Sequence, residues 1–91
     1  MKPSFAEVWQ RIQAHAGHRF RLARGREITY TVVDDVVHID GSDSRVHISQ
    51  FQHALDLVPV TGPSVFHEAS LWGPSYLYAI MMDARISCNQ W

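Results

Sequence analysis

The spacing of apolar residues along this chain changes twice, and each change predicts a change of element. Phe5, Val8, Trp9 and Ile12 stand at the offsets of one helical face. Ser4 and Glu7 have capping-box spacing, in which the hydroxyl accepts from the amide three residues on and the acid reaches back. Gly17 offers the left-handed stop that a residue without Cβ adopts freely. The pattern predicts a helix over about residues 5–16.

From residue 19 the period falls to two. Phe20 and Leu22 alternate with Arg19 and Arg21, and Ile28, Tyr30 and Val32 alternate with Glu27, Thr29 and Thr31. Such alternation describes half-buried strands. Arg24-Gly25-Arg26 fits a three-residue hairpin loop with glycine supplying the positive φ. Asp34-Asp35 turns the chain into Val37 and Ile39, and Asp40-Gly41-Ser42-Asp43-Ser44 turns it into Val46 and Ile48. The expectation is a four-stranded antiparallel meander.

A register follows from requiring the buried faces to match. Pairing Leu22 with Ile28, Val32 with Val37 and Ile39 with Val46 puts Phe20 against Tyr30, Tyr30 beside Ile39, and Val37 against Ile48. The opposite face then carries two polar rows: Arg19, Thr31, His38 and His47, and next to it Arg21, Thr29, Asp40 and Arg45.

Beyond residue 48 the helical period returns. Ser49 and Gln52 repeat the capping-box spacing, and Phe51, Ala54, Leu55 and Val58 form a stripe ended by Pro59. Gly62-Pro63-Ser64 and Gly73-Pro74-Ser75 each place proline where a helix begins and its missing N–H costs nothing. The first predicts a turn or two across residues 65–69, the second a helix from Pro74 to about Ala84. That last helix is apolar nearly all round, which predicts burial in a core or under a second copy. Tyr76, Tyr78, Met81 and Met82 are the expected interface residues of a homo-oligomer. The expected fold is α+β, one domain over residues 1–91: an N-terminal helix, the meander, and two to three C-terminal helices on one sheet face.

Composition narrows the classes. At 91 residues and 46% hydrophobic, with a net charge of −1, the chain is too apolar and too weakly charged for a disordered tail. No apolar run reaches the ~18–20 residues of a membrane span. Met1-Lys2-Pro3-Ser4 lacks the apolar stretch of a signal peptide, and Cys88 is the only cysteine, so a reducing cytoplasm is expected. The small net charge conceals a split. Residues 1–31 carry six basic side chains against two acidic, and residues 32–91 carry two against seven, leaving +4 and −5. A pI near 6.6 argues against avid, unaided nucleic-acid binding.

Candidate chemistry is sparse. His38 and His47, opposite each other in the expected register with Asp40 on the same face, offer two or three of the three or four ligands a zinc site takes, with no local C-x-x-C or H-E-x-x-H to strengthen them. His15 and His18 straddle Gly17, so their rings are expected to diverge. The loop from Asp40 has glycine second where an EF-hand has it sixth, and reads as a hairpin turn. There is no nucleophile elbow, P-loop or catalytic signature, and the last helix lacks the polar face of a recognition helix. Neither metal nor cofactor is expected.

The polar sheet face remains. Arg19, Arg21, Thr29, Thr31, His38, Arg45 and His47 are the expected binding residues, for phosphates or an acidic protein surface. The alternative is a small enzyme or ligand binder whose site forms between subunits around His38, His47 and Asp40. Gly73-Pro74-Ser75-Tyr76-Leu77-Tyr78-Ala79-Ile80 with Asp83-Ala84-Arg85-Ile86, and the runs from Glu27 to Val32 and from Ser49 to Leu55, resemble small bacterial proteins carried on mobile DNA, including integron gene cassettes. That resemblance implies an accessory protein and assigns no activity and no site.

Overall fold

A computed structural model describes residues 2–91. The fold is α+β: α1 (Phe5–Ala14), β1 (Phe20–Arg21), β2 (Glu27–Ile28), β3 (Tyr30–Val33), β4 (Val36–Ile39), β5 (Arg45–His47), α2 (Ile48–Leu57), α3 (Ser64–Glu68), α4 (Pro74–Met81) and α5 (Ala84–Ser87). Ser4 caps α1 by accepting from the Glu7 amide, but Glu7 turns to Arg11 at 3.8 Å, so the reciprocal half of the capping box is absent. Val8 and Ile12 are buried on one face of this helix, and Trp9 lies against Phe51 of α2.

The expected single meander is two small antiparallel sheets among the described residues, one ordered β1-β2 and the other β3-β4-β5. Residues 27–33 run through both, with Thr29 at the junction. β1 ends its pairing at Phe20, and upstream of it Gly17 donates to the Tyr30 carbonyl at 2.9 Å.

Two of the three expected pairings are also displaced. β3 and β4 match as expected, Tyr30 with Ile39 and Val32 with Val37. In the first hairpin Phe20 faces Ile28, where Leu22 was expected. The Leu22 amide bonds to the Arg26 carbonyl, so the loop is residues 23–25 and Gly25, at φ +93°, is its third residue. A three-residue loop wants its left-handed residue last. Placing the glycine in the middle moves every partner by two.

In the second hairpin Val37 faces Val46 and His38 faces Arg45. The Ile39 amide donates to the Ser44 carbonyl, which leaves a four-residue loop from Asp40 to Asp43. Asp40 stays with β3 because its amide donates to the Thr29 carbonyl and its carboxylate accepts from two threonines. Ile48 therefore leaves the strand and opens α2. The N-cap is His47 rather than Ser49, with its Nδ1 accepting from the Ser49 amide at 3.1 Å.

One core joins the layers. Tyr30, Val37, Ile39 and Val46 from the strands meet Val8 and Ile12 of α1, Phe51 of α2, Phe66 of α3, Leu77, Ile80 and Met81 of α4, and Ile86 of α5. The Tyr30 hydroxyl donates to the Ile12 carbonyl at 2.6 Å. Burial pushes this phenol well above its ordinary range.

The last helix is shorter than expected. It ends at Met81, because the Asp83 carboxylate accepts from the Arg85 amide and caps a new helix, α5. Its apolar surface is also largely absorbed within one copy. Met81, expected at an oligomer interface, is fully buried in the chain's own core, and Tyr76, Tyr78 and Met82 pack half-buried against that core. The α5 turn and the tail supply the cover that the sequence pattern did not reveal: Trp91 returns to donate to the Met81 carbonyl at 2.7 Å.

Candidate functional site

The corrected register redraws the polar face. Its rows are Thr31, His38 and Arg45; Val33, Val36 and His47; and Thr29 beside Asp40. His38 therefore faces Arg45, and His47 lies one row away opposite Val36. The row holding His47 is otherwise apolar, and Val33 in it is 52% exposed.

Asp40 is the best-held polar group on this face. One carboxylate oxygen accepts from the Thr29 hydroxyl at 2.7 Å, the other from the Thr31 hydroxyl at 2.9 Å. The two threonines sit two apart on the same side of the strand run, as the pleat requires, so one carboxylate spans both. The cross-strand ion pair with Arg45 that the expected register allows does not form; Arg45 is instead beside His38. His47 spends its Nδ1 lone pair on the cap of α2 and on the Ser49 hydroxyl at 2.9 Å. Asp40 and His47 thus each serve a local bond of the fold, and His38 stands beside Arg45.

The arginines divide into two groups. Arg11 donates to the Ile86 carbonyl at 2.9 Å, which ties α1 to α5. Arg85 chelates Asp83 through Nε at 2.8 Å and a terminal nitrogen at 3.0 Å, reaches the Arg19 carbonyl at 2.6 Å, and lies 4.2 Å over the Phe20 ring. The hydrogen bonds from Arg85 hold the Asp83 carboxyl below the usual carboxylate range, and those to Asp83 raise the Arg85 pKa. These two cations are structural. Arg19, Arg21, Arg24, Arg26 and Arg45 are exposed, and none forms an ion pair among the described residues.

A cavity of about 200 Å³ opens beside the first hairpin, lined by Arg19, Arg26, Glu27, Ile28, Thr29 and Asp40. It joins Arg19, Thr29 and Asp40, three residues of the expected polar face, to Arg26 and Glu27, which alternation alone places in the loop and at the strand start. The signal for them was present in the density of arginine around Gly25. It could not be read as a pocket without the hairpin's true register.

His15 and His18 overturn their expectation too. Gly17 turns the chain back at φ +86°, and the two rings meet edge to face with centroids 5.2 Å apart. The His15 Nδ1 lies 2.8 Å from the Arg11 carbonyl. Among the described residues no group of three or more His, Cys, Asp or Glu side chains converges as metal ligands would. Likewise, no helix of the described residues is long and apolar enough to cross a membrane. The chain matches no protein-family model, no curated protein and no solved structure.

Proposed function

We propose that this protein is a non-enzymatic binding module that docks the phosphates of a nucleic acid on Arg19, Arg21, Arg24 and Arg26 of the first hairpin and on Arg45 of β5. The observation that carries the reading is the division of the arginines. Those on helices are committed to carbonyls and carboxylates of the fold, whereas these five are exposed and form no ion pair among the described residues. Guanidinium forks kept free in this way suit phosphate oxygens, which they engage bidentately. His38 lies beside Arg45 in the sheet, with Thr31 one strand further along the same row, and both would position a backbone rather than read it.

The stacking aromatics of an RNA-recognition sheet are absent from this face, since Phe20 and Tyr30 are buried in the core. Binding by the hairpin is therefore mainly electrostatic. A homo-oligomer is no part of this reading, because the helix that suggested one is largely consumed by its own core. An accessory role on mobile DNA, which the resemblance implied, fits a small module of this kind.

Five engaged arginines would make the logarithm of affinity for single-stranded nucleic acid fall with the logarithm of salt at a slope of about −3.5. Substituting Arg19, Arg21 and Arg45 with Glu should abolish this binding, read by fluorescence anisotropy between 50 and 200 mM salt, about the range over which such contacts dissociate. Wild-type binding that ignores salt, or binding unchanged by the triple substitution, overturns the proposal.

A further inference from the structure

We infer that the cavity beside the first hairpin takes a guanine base whose phosphate lies on Arg19 and Arg26. The inference rests on the phosphate-docking reading above and adds to it what the site selects. The cavity lining carries both signs of charge: Arg19 and Arg26 against Glu27 and Asp40. None of these four pairs with another among the described residues. Opposite charges that surround one space without neutralising each other match a ligand presenting an anion and hydrogen-bond donors together. An acidic side chain engages only the arginines and is repelled by the two carboxylates. A nucleotide offers both, a phosphate for the guanidinium forks and the edge of its base for a carboxylate.

Asp40 narrows the choice of base. Each of its oxygens already accepts one threonine hydroxyl, at 2.7 and 2.9 Å, which holds the carboxylate in place. An ionised carboxylate has about four acceptor sites, so each oxygen keeps a second one. What remains is a fixed pair of acceptors, and it favours an edge with two adjacent donors. Guanine presents that edge through its ring N–H and its exocyclic amino group. Uracil and thymine present one N–H between two carbonyls, which a carboxylate repels, and adenine and cytosine lack two neighbouring donors. Ile28, the one apolar residue of the lining, adds contact that does not discriminate among bases. Thr29 does double work here, lining the cavity and anchoring Asp40.

A cavity of about 200 Å³ holds a small group and not a duplex, so the base must come from a free nucleotide or an unpaired position in a strand. Both sources share the chemistry. The test compares a twelve-nucleotide RNA of uridines only with the same strand carrying one central guanosine, using anisotropy at low salt with the full chain. The guanosine strand should bind about tenfold tighter, the discrimination of one good bidentate pair. Asp40→Asn should bring the ratio near one while uridine-strand binding persists or rises, since a negative charge has been removed. Thr31→Val, which frees one oxygen of its anchor, should give an intermediate ratio.

Competition by guanosine monophosphate but not by uridine monophosphate would assign the site to a free nucleotide. A guanosine preference that appears only in the strand would assign it to a nucleic acid. Equal, salt-sensitive binding of both strands by the wild type overturns the guanine site and leaves the arginine hairpin standing. Failure of the wild type to bind either strand overturns both.

Discussion

Tyr30→Phe removes one oxygen from the centre of the core and little else. The side chain is fully buried, and its hydroxyl donates to the Ile12 carbonyl at 2.6 Å. That carbonyl lies in the last turn of α1, where the Ala16 amide that could have served it bonds to the Gln13 carbonyl instead. The variant keeps the ring and its contact with Phe20, centroid to centroid 5.2 Å, so no sizeable cavity opens. The cost is the net worth of one hydrogen bond plus a buried acceptor left without a donor, about 1–2 kcal/mol together. In a domain of this size each 1 kcal/mol lowers Tm by about 4–8 °C.

Alkaline pH separates this account from a simple packing effect. Burial raises the Tyr30 pKa above its ordinary value of 10.0, against a smaller pull downward from Arg85. Above that ordinary value the unfolded chain releases the phenol proton while the native protein keeps it. The unfolded state then binds fewer protons, so stability falls as pH rises, by up to about 1.4 kcal/mol per unit. Below it this contribution is intact. Phe at position 30 has no proton to lose, and Tyr76 and Tyr78 are common to both proteins. The two stability curves should therefore converge above pH 10 and cross about one unit higher. Urea unfolding followed by tryptophan fluorescence, at pH 7 and through the alkaline range, measures both effects. A cost below about 0.5 kcal/mol at neutral pH, or curves that stay parallel, would refute the reasoning.

Three further outcomes follow from local geometry. His47→Ala should cost about 1 kcal/mol by uncapping α2, and His47→Asn should restore most of it, because asparagine can accept from the same Ser49 amide; equal melting temperatures for the Ala and Asn variants would show that the cap contributes nothing. Asp83→Ala should cost about 1–2 kcal/mol at pH 7 by removing both the α5 cap and the grip on Arg85. Because the folded pKa of Asp83 is depressed, that contribution is present above its unfolded value of 3.8 and lost as pH falls below it, so the wild type and the variant should converge in acid. Gly73→Ala should cost about 1–2 kcal/mol, since φ there is +68° and the new methyl would stand 3.2 Å from the Val46 side chain; an unchanged midpoint in urea would contradict this.

Elements were far more legible than their pairings. The α1 stripe of Val8 and Ile12 and the Pro74 start of α4 follow from periodicity, because a helix carries its hydrogen bonds within itself and needs only local information. The β3–β4 register was legible for a related reason. A two-residue turn at Asp34-Asp35 leaves one way to match the buried faces. The other two hairpins were misplaced because a loop with one glycine admits neighbouring registers that bury the same residues, and only backbone hydrogen bonds at Leu22 and Ile39 choose between them. That choice moved His38 from His47 to Arg45 and freed Asp40 for the threonines.

The candidate site was therefore half visible. Its residue types, an excess of arginine on a period-2 segment before residue 32, could be read directly. Which arginines are free could not. Arg11 and Arg85 look no different in sequence from Arg19 or Arg26, yet the first two bond to Ile86 and Arg19 carbonyls 75 and 66 residues away. Whether Met81 is buried in its own core or under a second copy was likewise left open by the pattern, and the packing places it in the core. By itself the chain determined the starts of α1 and α4, the strand segments and the alternation of buried and exposed positions along them, all set by interactions within a few residues. Tertiary structure alone decided which polar groups the fold uses and which it leaves exposed, because a long side chain bonds to whatever the packing brings within about 3 Å.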